Sequence, residues 1–72
     1  MTAHEFGEWL DHMWFSHDDA AARLGVEPGA IAAYEREGAP ATVGLACAAI
    51  ATGLAAWQPP RRRARLRRQQ AA

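Results

Sequence analysis

The chain contains a single cysteine, Cys47. An internal disulfide is therefore excluded, and a lone thiol fits a reducing cytoplasm, where it fills core space rather than reacts. No run alternates Val, Ile or Thr with polar residues, so no strand is expected. There is no glycine-rich phosphate loop, since Gly25 and Gly29 read as punctuation between helices. Ser16 and Cys47 have no partnered base at a recognisable spacing. His4, His12, His17, Asp11, Asp18 and Asp19 match no zinc-binding spacing. A chain this short also leaves little room for a substrate pocket. No enzymatic activity, metal or cofactor is expected. No signal peptide is read ahead of the domain. The apolar run from Ala39 to Trp57 is interrupted by Pro40, Thr42, Gly44, Thr52 and Gly53, so it reads as a buried helix rather than a membrane span.

Positive charge is nearly missing from the first sixty residues. They hold all eight acids but only Arg23 and Arg36, a net of −6. Arg61, Arg62, Arg63, Arg65, Arg67 and Arg68 bring the total to zero. A DNA-binding module normally carries its positive face on the recognition element, so this division is unusual for one. The arginine-rich tail reads as a solvated segment, as a helix formed on a partner, or as a segment folded back on the acidic body. Its arginines can neutralise phosphates without reading sequence.

What the chain has in quantity is alanine within a 50% hydrophobic composition, which favours helices. Thr2 and Glu5 form a capping-box pattern, predicting a first helix from near Ala3. Phe6, Trp9, Leu10 and Met13 follow at i, i+3, i+4, i+7 spacing and predict its core face. Ser16, with Asp19 three residues on, predicts a second start. Ala20, Ala21 and Leu24 then share a face. Gly25 can take the left-handed backbone that stops a helix, and Val26 pins the turn. Glu27 reads as the next cap and Pro28 as a first helical residue, with Ile31 and Tyr34 facing the core and Gly38 ending the helix. Thr42 reads as the cap of a last helix whose apolar face runs through Val43, Ala46, Cys47, Ile50, Leu54 and Trp57. Within that pattern, Gly53 either ends the helix or permits a close approach. Trp14, in the link before Ser16, either packs over the first helix or faces a partner.

The stretch from Ser16 to Gly38 resembles the helix-turn-helix of the Xre family, the group that includes Cro and lambda-type repressors. Ser16, Ala21, Leu24-Gly25-Val26, Ile31, Tyr34-Glu35 and Gly38 carry the likeness. Small Ala21 and the Gly25 turn let two helices cross closely. With the flanking helices, the resemblance covers roughly residues 3 to 57. It implies an all-α, lambda-repressor-like bundle of about four helices over residues 1–58; the residues beyond read as a Pro-Pro linker and arginine-rich tail over 59–72. It also implies that His17 bonds a DNA phosphate, where glutamine is more usual in the family. The base-reading positions correspond to Pro28, Gly29, Ala30 and Ala33. None of these offers the paired donors or acceptors that specific readout needs. Alanine can touch a thymine methyl, Gly29 can bring backbone close to phosphate, Glu27 can accept from cytosine, and Arg36 suits a phosphate.

The expectation is therefore a small DNA-binding transcriptional regulator of bacterial or phage origin. It would bind double-stranded DNA as a homodimer formed through the C-terminal helix, because a helix apolar nearly all round needs cover on more than one side. The tail arginines, Arg61 to Arg68, would add phosphate or minor-groove contacts. The rival is a helix-turn-helix scaffold that binds a protein through Trp14 or its acidic surface, since fold alone does not fix function. A third reading has the tail alone binding nucleic acid while the body dimerises.

Overall fold

The first two helices each start at a hydroxyl. The computed structural model describes residues 1–60. Within them lie α1 (Ala3–Met13), α2 (His17–Leu24), α3 (Pro28–Glu37) and α4 (Ala41–Thr52), with no strand among the described residues. At α1 the Thr2 hydroxyl accepts from the Glu5 N–H at 3.1 Å, and the Glu5 carboxylate accepts from the Thr2 N–H at 2.8 Å. Ser16 and Asp19 repeat this reciprocal arrangement at α2, at 3.1 and 3.2 Å. Each cap satisfies donors that a helix start otherwise leaves unpaired, a contribution of about 1 kcal/mol. The Thr2 backbone N–H also holds the Glu5 carboxyl below its ordinary pKa.

The later helices start differently from the sequence expectation. Glu27 occupies the cap position of α3, but its side chain makes no capping bond. At α4 the cap position falls to Pro40 (φ −68°, ψ 164°), and Thr42 lies inside the helix. Proline sets φ for an extended residue just ahead of a helix, so the chain turns two residues earlier than the hydroxyl suggests.

Three helices end in the same closure, in which a left-handed residue lets the following N–H reach back five residues. Val26 N–H donates to the Ala21 carbonyl at 3.0 Å, Leu54 N–H to that of Ala49 at 2.8 Å, and Phe15 N–H to that of Leu10 at 3.1 Å. Gly25 (φ 73°) and Gly53 (φ 84°) serve two of them, while the third uses Trp14 at φ 59°. α4 therefore stops at Thr52, and the apolar pattern does not continue helically to Trp57.

The core takes residues from every helix: Phe6, Trp9 and Leu10 from α1, Ala20 and Ala21 from α2, Ile31 from α3 and Cys47 from α4. Phe6 is its centre, fully buried, with its ring 5.6 Å from that of Trp9 and edge-on to Tyr34 at 5.4 Å. Burying a ring or branched chain of this size contributes roughly 1.5–3 kcal/mol. Trp9 brings one polar atom inside, and its Nε1–H donates to the Cys47 carbonyl at 3.0 Å, tying α1 to α4. Burial pushes the Cys47 thiol pKa up, so the thiol stays protonated and packs as a small hydrophobe. The N-terminal residue closes the far side. The Met1 carbonyl accepts from the Ala39 N–H at 2.9 Å, and the Met1 amine donates back to the Ala39 carbonyl at 3.3 Å. This approach is open only to glycine at position 38, where φ is 95° and an added Cβ would lie 2.8 Å from the Met1 oxygen.

Candidate nucleic-acid interface

α2 and α3 are separate helices joined through Gly25, Val26 and Glu27. Buried Ala20 and Ala21 have side chains small enough for α2 to lie close to its neighbours, while Ile31 anchors α3 from the opposite side. That packing decides which part of α3 faces outward. Glu27, Pro28, Gly29 and Arg36 are exposed, whereas Ala30 and Ala33 are half-buried. The surface at the start of α3 is thus formed by backbone and proline ring rather than by long polar chains. α3 has no acid in its first turn, so the positive end of its dipole is not neutralised from within the helix.

The charges around this surface favour the opposite sign. His17 is exposed at the start of α2, as a phosphate contact requires, but its Nε2 lies 2.7 Å from Oε1 of Glu35 on α3. Arg36 Nη2 is 3.6 Å from Oε2 of its neighbour Glu37. The other body cation, Arg23, lies over the ring of Phe15 at 5.4 Å. Asp18, Asp19, Glu27, Glu35 and Glu37 are all exposed on α2, α3 and the turn between them. Arg36 is the one arginine among the expected contacts on this unit, and the surrounding carboxylates repel phosphate.

His17, Glu27, Pro28, Gly29, Ala30, Ala33 and Arg36 all lie on α2, on α3 or in the turn between them, spread from one end of α3 to the other. The expected contacts at Arg61, Arg62, Arg63, Arg65, Arg67 and Arg68 lie outside the described residues. Sequence reading missed Glu35 as the partner of His17, and no local signal announces a contact between residues 18 positions apart. Trp14, for which packing over α1 was one expectation, stands out instead with 91% of its surface exposed. Its left-handed backbone directs the ring away from α1, and Phe15 takes the inner place, edge-on to Trp9 at 5.5 Å.

Among the described residues no three or more His, Cys, Asp or Glu side chains come together as a metal site. No helix among them is long and apolar enough to cross a membrane. No family model matches the chain, and no curated protein or solved structure matches it.

Proposed function

We propose that this protein is a small DNA-binding regulator of transcription, of the helix-turn-helix type that the Xre resemblance implies, working as a homodimer in a bacterial cytoplasm and of bacterial or phage origin. The supporting observation is the break between α2 and α3 at Gly25, with Pro28, Gly29 and Arg36 left exposed on α3. In this reading α3 enters the major groove, α2 crosses the backbone, and two copies address half-sites about one helical turn apart. Readout by such a surface relies on shape, thymine methyl contact and backbone approach more than on paired hydrogen bonds. The tail arginines add contacts to phosphate that carry no sequence information.

A second reading is favoured by one observation, the clustering of carboxylates around α3 with His17 engaged by Glu35. In it the same scaffold binds a basic protein surface, with the exposed indole of Trp14 as an anchor.

Selection of bound DNA from a random pool tests both. The full chain is compared with a full-length variant in which the six tail arginines, Arg61 to Arg68, are changed to glutamine. A shared palindromic motif in both supports the regulator. Binding without a motif, lost in the variant, assigns the activity to the tail alone. Absence of binding in both supports the protein-binding reading.

A further inference from the structure

Among the described residues, the large exposed apolar side chains fall in two places. Trp14 stands by itself after α1, whereas Leu45, Leu54 and Trp57 belong to α4 and the segment beyond it, with 73, 64 and 83% of their surfaces exposed. Beside them is a groove of about 390 Å³, walled by Leu24 of α2, by Ala46, Ala49 and Ile50 of α4, and by Leu54, with Arg23 among its lining residues. Leu45 lies one turn before Ala49 on α4.

We propose that this face is a two-fold interface between two copies of the chain, with Trp57 of each copy seated in the other's groove against Arg23. The proposal deepens the dimeric part of the reading above by naming the surface used. Self-complementarity selects the occupant. The projecting indole of Trp57 directly follows Leu54, Ala55 and Ala56, which line the apolar groove, so one symmetry axis can satisfy both on each copy.

Charge selects the same occupant. α4 contains no charged residue, while α1, α2 and α3 carry all the acids but Glu27, which stands in the turn between α2 and α3. Two copies meeting at α1, α2 or α3 would oppose carboxylates, and here they do not. Among the described residues, Arg23 is the one charged residue lining the groove, and its guanidinium lies over the Phe15 ring at 5.4 Å. Its other face suits the electron-rich face of an incoming indole. Area agrees as well. Covering Leu45, Leu54, Trp57 and the intervening alanines on both copies removes on the order of 1,000 Å² from water, the lower bound for a specific interface.

Sedimentation equilibrium of the full chain without DNA tests the proposal. A reversible dimer is expected. Trp57→Ser and Leu54→Ser, both outside the helices, should each weaken it more than tenfold with unchanged far-UV helicity, while Trp14→Ser leaves it intact. A chain that stays monomeric, a dimer insensitive to Trp57→Ser, or one broken by Trp14→Ser overturns the interface. With DNA absent, the regulator reading is judged separately, because a Trp57-dependent dimer that selects no DNA keeps the interface and removes the regulator.

Discussion

His17 Nε2 lies 2.7 Å from Glu35 Oε1, joining the first residue of α2 to the last full turn of α3. Both side chains are substantially exposed, so the pair contributes little to stability, about 0–1 kcal/mol. Its larger consequence is that the imidazole nearest the proposed DNA backbone is occupied by a carboxylate. Glu35→Gln should release it and remove one repelling charge. DNA affinity is then expected to rise at every salt concentration tested. Filter binding across a salt series measures this, and weaker binding in the variant would exclude His17 as a phosphate contact.

Trp14 holds a conformation at φ 59° that two other helix ends assign to glycine, and its ring gains almost no burial in return. The left-handed region costs a bulky residue about 1–2 kcal/mol. Trp14→Gly should therefore stabilise the monomer, raising the thermal midpoint by several degrees. A lower midpoint would mean that the indole packs on the monomer.

Two glycines should respond to alanine in opposite directions. Gly7 sits inside α1, and a Cβ there meets nothing within 4 Å, so Gly7→Ala should stabilise by about 1 kcal/mol. At Gly38 the new Cβ would press on the Met1 carbonyl at 2.8 Å with φ at 95°, so Gly38→Ala should destabilise by about 1–3 kcal/mol. Urea midpoints compare them. Equal shifts would refute the contact between Met1 and the end of α3.

Glu5 gives the acid limb a definite sign. Its pKa in the folded chain is lowered, first by the hydrogen bond from the Thr2 N–H. The stabilisation it provides is present above the unfolded value of about 4.3 and is lost as pH falls through the folded pKa. Glu5→Gln should lose less stability than the parent chain between neutral and strongly acidic pH. Urea unfolding at both pH values reads the difference, and parallel losses would place the acid sensitivity elsewhere.

Much of the local architecture is legible in single residues. Both reciprocal caps, Thr2 with Glu5 and Ser16 with Asp19, formed as their spacing predicts, and Gly25 ends α2 as expected. On the expected α1 core face Phe6, Trp9 and Leu10 are buried, while Met13 is half-buried against them. The start of α4 was less legible. A threonine and a proline compete for the same cap, and the preset φ of Pro40 prevails over the hydroxyl of Thr42. Exposure along α3 was less legible than the helix ends. Pro28 and Gly29 are exposed as a reading face requires, yet half-burial of Ala30 and Ala33 depends on how α3 lies against its neighbours.

The order of amino acids thus determined where the helices begin and turn, because capping and helix-stopping bonds span three to five residues and need no distant partner. Tertiary structure decided the rest. It set the Trp9 bond to Cys47 across 38 residues and the His17 contact with Glu35 across 18. It also left Phe15 half-buried against Trp9 while exposing Trp14, and it opened a groove between α2 and α4. Such contacts depend on how whole helices are laid against one another, and no spacing along the chain specifies that.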